Sequence, residues 1–173
     1  VSDVTESAST SAASAVHALI GHAATIAVAE SLTGGLVCAA LTSVPGASSV
    51  VRGAVVAYAT ELKSDLISVD ADLLAREGAV HPNVAAQMAR GVRIRLGADI
   101  GVGTTGVAGP EPQNGKPVGE VHIAVSTGTD VHLRSLSLDP ELGRTGIRAA
   151  TVDAALSLIA EVLASYASSD QGE

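Results

Sequence analysis

The stretch that most limits what this chain can fold into is Thr25 to Leu41, TIAVAESLTGGLVCAAL. An apolar run of small and β-branched residues reaches Glu30 and Ser31 and breaks at Thr33-Gly34-Gly35. Helix-like spacing then begins at Leu36, Val37, Ala40 and Leu41. That pattern predicts a strand, a tight turn and a helix. In α/β proteins such a turn is where chemistry collects, because a helix start offers unpaired backbone N–H groups and partial positive charge. Ser31 stands at the junction, and other candidates matter insofar as folding can bring them to it.

Along the rest of the chain, residues 1–11 are small and polar and read as a disordered N-terminal segment, as do residues 168–173 at the other end. Between them, 12–167 reads as a single domain. Ala12 to His22 has helical spacing, with Val16, Leu19 and Ile20 as its apolar positions. Val50 to Tyr58 reads as a second strand. Thr60 is a candidate N-cap for a short helix carrying Leu62, Lys63, Leu66 and Ile67. Asp70 to Arg76 reads as another short helix. A longer one starts at His81-Pro82-Asn83, with Val84, Met88 and Val92 along one stripe. Ala98 to Gly106 reads as a buried strand, and 107–118 as a Gly/Pro loop. Glu120–Ser126 and Val131–Leu138 form a hairpin. A final helix from Arg144 to about Tyr166 buries Ile147, Val152, Ala155, Ile159 and Val162. Early alternation of strands and helices with a late hairpin predicts an α/β fold, with a mixed sheet covered by helices on both faces.

A core must be assembled without large rings: apolar residues make up 47% of the chain, yet Tyr58 and Tyr166 are its only aromatics. With a formal charge of −8 as well, the surface suits no nucleic acid, which wants cations and stacking rings. Cys38 is the single cysteine, so neither an intrachain disulfide nor a Cys-based zinc site is available, and it reads as a small core residue. The five histidines are too scattered for a recognised metal spacing. His81 reads as a helix start, and His122 and His132 as ordinary strand residues. No apolar run approaches the roughly 20 residues that span a bilayer. The expectation is a cytoplasmic protein with no membrane partner.

Gly101-x-Gly103-x-x-Gly106 matches the dinucleotide fingerprint, but Pro110 and Pro112 follow where a helix would have to run. The alternatives are a strand ending at Thr105-Gly106 whose loop closes N–H groups around an anion or amide, or simply a tight turn. Ser31 is either a strand-end serine or a nucleophile. Gly34 and Gly35 allow close approach, so amides from Thr33 to Gly35 are candidate oxyanion donors. Lys63 falls in the first turn of a helix, where the dipole disfavours a cation. Burial would lower its pKa further, toward an amine able to accept a proton from a serine. Tyr58 can fill the core, hydrogen-bond the Ser/Lys pair or stack on a ligand ring. Arg144 and Arg148, one turn apart, share a helix face and can take a phosphate or remain solvated. Lys116 is a candidate cation on the Gly/Pro loop, and Glu30 either orients a neighbour or pairs in the core.

Four spaced segments, AESLTGG (29–35), GAVVAYATELKSDLISV (53–69), TGVAGPEPQNGKPVG (105–119) and GRTGIRAATVDAAL (143–156), together resemble the CinA C-terminal domain family. That family includes stand-alone nicotinamide mononucleotide (NMN) deamidases of the PncC type. The resemblance runs from about Val16 to Leu163. It implies a three-layer α/β/α domain, an amidohydrolase that converts NMN to nicotinate mononucleotide and ammonia in pyridine-nucleotide salvage. No metal or other cofactor is implied, and a homodimer is. The family's serine falls on Ser31, its tyrosine on Tyr58, its lysine on Lys63, the threonine before its G-x-A-G-P loop on Thr105, and its paired arginines on Arg144 and Arg148. Residues His81, Ala59 and Thr60 depart from the family's usual serine and Ser-Asn. A non-catalytic pyridine-nucleotide- or partner-binding module of the same fold is the alternative.

Overall fold

The strand of the opening motif, β1 (Ile26–Glu30), lies between two parallel neighbours, β2 (Val51–Val56) and β3 (Ile100–Gly106). Beyond β3 the sheet continues through two antiparallel strands, β4 (Glu120–Ser126) and β5 (Val131–Ser137). The order β2-β1-β3-β4-β5 makes the five-stranded sheet mixed, as expected. The structure is a computed structural model that describes the backbone of residues 2–169. Val1 and residues 170–173, parts of the two terminal segments expected to be disordered, lie outside the described residues.

Side-chain alternation along β1 sorts the core into two layers. Ile26 and Val28 join Val102 and Ile123 beneath α1 (Ser2–Gly21), α2 (Leu36–Thr42) and α6 (Gly143–Ser169). Ala27 and Ala29 point the other way, to α3 (Thr60–Ile67), α4 (Ala71–Glu77) and α5 (Pro82–Leu96). Helices therefore cover both faces, in a three-layer α/β/α arrangement. The second layer is thin because its sheet residues are small. A Cβ at Gly101 or Gly103 would lie 2.0 Å from the Ala89 carbonyl oxygen or 2.4 Å from that of Ala85. Helix α5 thus rests its backbone directly on β3, and two glycines of the apparent dinucleotide fingerprint serve this approach. A chain with so few rings compensates by bringing backbones together.

Several expectations shift. Helix α1 begins at Ser2, not Ala12, so the backbone of 2–11 is helical; its run of Ala, Ser, Thr and Glu contains no Gly or Pro to prevent that. Ile20 is 44% exposed, whereas Val16 and Leu19 are fully buried. Thr60 is not an N-cap. That position falls to Ala59, which makes no side-chain cap, and Thr60 is the first helical residue. Strand β2 stops at Val56 because Ala57, whose N–H donates to the Glu30 carbonyl, turns its own carbonyl to Lys63. Cys38 is half-buried rather than a full core residue. The α5 start is as read, with His81 at the N-cap and its Nδ1 accepting from Asn83 N–H at 3.2 Å.

Candidate active site

Ser31 leaves the end of β1 with its backbone held at both groups. Its N–H donates to the Thr104 carbonyl at 3.1 Å, and its carbonyl accepts from Gly34 N–H at 3.1 Å. The side chain stands on the wall of a cleft open to solvent, which Leu32, Tyr58, Lys63, Thr105 and Arg144 also line. Lys63 rises from the first turn of α3 on the same wall, and its Nζ lies 3.2 Å from Ser31 Oγ and 2.8 Å from the Ala57 carbonyl oxygen. At 1% exposure it is the largest fully buried side chain, and no carboxylate pairs with it among the described residues. Burial lowers its pKa to about 8, against a weaker upward pull from Glu61. An amine that gives up its proton near neutrality, set against a hydroxyl, is the geometry of a serine with a lysine base.

Behind the serine, the fully buried Glu30 carboxylate fills the start of α2. Its Oε2 accepts from Gly35 N–H at 2.9 Å and Val37 N–H at 3.1 Å, while Oε1 accepts from Cys38 N–H at 2.9 Å. The positive end of that short helix is neutralised from inside the protein. This corrects the expected oxyanion donors: Gly35 N–H is bound by Glu30, and Gly34 N–H by the Ser31 carbonyl. The amides of Leu32 and Thr33 have no hydrogen-bond partner among the described residues, and Leu32 is part of the cleft wall. Thr33 itself is buried, with its hydroxyl 2.8 Å from that of Thr104. Thr105 and Gly106 line the cleft, with the Thr105 hydroxyl donating to the Ala79 carbonyl at 2.6 Å.

The opposite side of the cleft is polar and open. Tyr58 is 56% exposed and bonds neither Ser31 nor Lys63; its hydroxyl accepts from Arg144 Nη2 at 2.6 Å. Positioning the Ser/Lys pair is therefore not its role in this arrangement, while its ring remains available to a ligand. Arg144 also donates from Nη1 to the Gly109 carbonyl at 2.8 Å, tying the mouth of the cleft to the 107–118 loop. Arg148 is not with it. Its Nε donates to the Leu32 carbonyl at 2.9 Å and its Nη2 to that of Thr33 at 3.0 Å, behind the nucleophile turn and away from the cleft wall. Lys116 pairs with Glu120 at 3.2 Å, and Glu120 also contacts the buried His122, so this cation is engaged elsewhere. Glu111 and Gln113 line the cleft without having been singled out; only their place in the Gly/Pro loop pointed to them. Among the described residues no group of three or more His, Cys, Asp or Glu can hold a metal, and no helix is long and apolar enough to cross a membrane.

With this geometry in hand, comparison with known proteins places the chain. Residues 8–163 match the family described as the CinA C-terminal domain. A CinA-like protein of Frankia casuarinae is 50% identical over 152 residues, covering 88% of this chain but 35% of its own length. The chain thus spans about a third of the curated relatives it matches. Among solved structures, the competence/damage inducible protein CihA from Agrobacterium tumefaciens superposes with a TM-score of 0.86 at 35% identity, covering 91% of this chain and 95% of that one. The competence damage-inducible protein A (ComA) from Klebsiella pneumoniae gives 0.87 at 29% identity, covering 91% and 97%.

Proposed function

The chain belongs to the CinA C-terminal domain family, and from that premise we propose that it is an amidohydrolase acting on the carboxamide of NMN. The observation that carries the reading is the 3.2 Å approach of a buried lysine, unpaired with any carboxylate among the described residues, to Ser31 Oγ.

Neutral Lys63 keeps an N–H on the Ala57 carbonyl and offers its lone pair to the Ser31 hydroxyl. As Lys63 takes that proton, Oγ forms a bond to the carboxamide carbon, whose oxygen becomes an oxyanion. The Leu32 N–H, next in the chain to the nucleophile and without a partner among the described residues, is the donor for it. Collapse breaks the C–N bond while Lys63 returns the proton to the leaving nitrogen, releasing ammonia and leaving a serine ester. Water then attacks the ester, giving its proton to Lys63, which restores it to Ser31 Oγ as the acid departs.

At the mouth, Arg144 exchanges its two neutral acceptors for the phosphate, a stronger partner for a guanidinium. The exposed Tyr58 ring supplies a flat apolar face for the pyridine. A second subunit, cytoplasmic residence and a place in pyridine-nucleotide salvage belong to the same proposal. Ammonia release from NMN, with and without EDTA, is compared for the wild type, Ser31→Ala and Lys63→Met. EDTA-insensitive release that both substitutions abolish supports the reading. A wild type that is stabilised by NMN against heat yet releases no ammonia makes the protein a binding module instead.

A further inference from the structure

Two peptide groups behind the nucleophile form a chain of hydrogen bonds that starts on Arg148. Its Nη2 donates to the Thr33 carbonyl at 3.0 Å. The N–H of that same peptide unit belongs to Gly34, and it donates to the Ser31 carbonyl at 3.1 Å. The N–H of the Ser31 peptide unit belongs to Leu32, which has no partner among the described residues and stands at the cleft wall. These peptides are trans, so each N–H points opposite to its own carbonyl. Fixing one carbonyl therefore fixes where the N–H on the other side of the unit is aimed. Arg148 Nε holds the Leu32 carbonyl as well, at 2.9 Å, which ties the turn to the same guanidinium at a second point. Gly34 makes room for this grip: a Cβ there would lie 3.2 Å from Arg148 Nη2, at a backbone φ of +60°.

We infer that Arg148 is a positioning residue, which aims and polarises the Leu32 N–H beside Ser31 through the Gly34 peptide, and is not a phosphate ligand. A cation at one end of a hydrogen-bonded chain strengthens the donor at the other, since each polarised peptide polarises the next. The charge of Arg148 reaches the oxyanion by this route without entering the cleft. Arg144, one turn earlier on the same helix, is left as the guanidinium that faces the ligand.

The inference rests on the amidohydrolase reading, and its test separates the two. kcat and KM are measured with NMN and with nicotinamide riboside, which lacks the phosphate, for the wild type, Arg148→Gln and Arg148→Lys. Amide ¹⁵N–¹H spectra of the same proteins follow Leu32 and Gly34. In Arg148→Gln, kcat should fall about 10- to 100-fold for both amides, with KM within about threefold of wild type. The Leu32 and Gly34 resonances should move, and Arg148→Lys, which keeps the charge, should recover part of each change. A loss confined to KM and to NMN would make Arg148 a phosphate ligand. Lowered thermal stability with unchanged kcat would make it structural only; either result overturns the inference. Should the wild type hydrolyse neither amide, the amidohydrolase reading fails by itself. The spectra then decide: unmoved Leu32 and Gly34 resonances in Arg148→Gln overturn the relay, and moved ones with an intermediate Arg148→Lys support it. If Arg148→Gln does not fold, Arg148→Lys supplies the same readouts.

Discussion

On one side of the cleft, Lys63 is 1% exposed, Glu30 is fully buried, and both backbone groups of Ser31 are hydrogen-bonded. On the other, Tyr58 is 56% exposed, Arg144 reaches across solvent to a loop carbonyl, and Glu111 and Gln113 stand on a loop between prolines. Both sides are polar, yet they differ in what they cost to build. Burying an ammonium and a carboxylate is unfavourable and is sustained only by surrounding hydrogen bonds and packing, so that wall has little freedom to vary. An exposed arginine on a neutral acceptor can change partner at small cost. Under the proposed function, the difference amounts to a division of labour: reactivity set by the rigid wall, ligand choice by the open one.

Replacing Ser31 or Lys63 should have the largest effect. Ser31→Ala and Lys63→Met should each lower kcat by about 10³-fold or more while leaving KM for NMN nearly unchanged, because the ligand is held mainly from across the cleft. Steady-state ammonia release reads both constants. A large rise in KM in either variant would show that the two walls do not divide the work in this way.

Part of that contrast was legible before any coordinates. The strand–turn–helix of 25–41, the β4–β5 hairpin and the buried stripes of α5 and α6 follow from periodicity and turn chemistry, which act locally. Lys63 was legible because it breaks a local rule: a cation in the first turn of a helix needs a reason. Arg148 misled for the opposite reason. Spacing of four residues places it on the face of Arg144, but one helical turn is enough to put one guanidinium at the cleft and the other on two carbonyls behind it. Backbone acceptors carry no sequence signal, so neither that grip nor the Ala57 carbonyl on Lys63 could be read from side-chain patterns. The three amides on Glu30 were hidden likewise, although a glutamate closing an apolar strand just ahead of a helix start was a usable clue. The exposure of Ile20 depends on how far neighbouring elements extend, which helical spacing does not encode.

The strain stored in the rigid wall can be measured as a function of pH. Lys63 has its folded pKa lowered to about 8, below its unfolded value near 10.4, so the unfolded state holds more protons between the two. Wild-type stability therefore gains from this group as pH rises through that window, and below pH 8 the full penalty of burying the cation is present. Lys63→Met lacks the linkage. Its stability relative to wild type should fall by about 2 kcal/mol between pH 7 and pH 9.5, read by denaturant midpoints at each pH. A constant difference would mean that the amine is hydrated in the folded protein. Turnover tracks the same equilibrium: kcat should rise about tenfold from pH 6 to pH 7 and level off above pH 8 to 9, as the neutral amine becomes the main form.

The smallest effect belongs to the open wall, and it is the one that tests the comparison most closely. On the proposed reading, Arg144 must give up its bonds to the Tyr58 hydroxyl and the Gly109 carbonyl to take a phosphate, so only the difference between those partners would contribute to binding. Arg144→Gln should raise KM for NMN about tenfold and leave kcat within about twofold, the loss expected when one charge-assisted contact is removed at an exposed site. The same substitution should leave hydrolysis of nicotinamide riboside unchanged, since no phosphate is present to notice it. It should also leave the pH dependence of kcat where it was, because Lys63 owes its shifted pKa first to burial. If Arg144→Gln instead moved that pH profile, the exposed wall would be reaching the buried amine. Tyr58, the element bonded to Arg144 and lining the cleft with Lys63, would be the route, and reactivity and ligand choice would share one network.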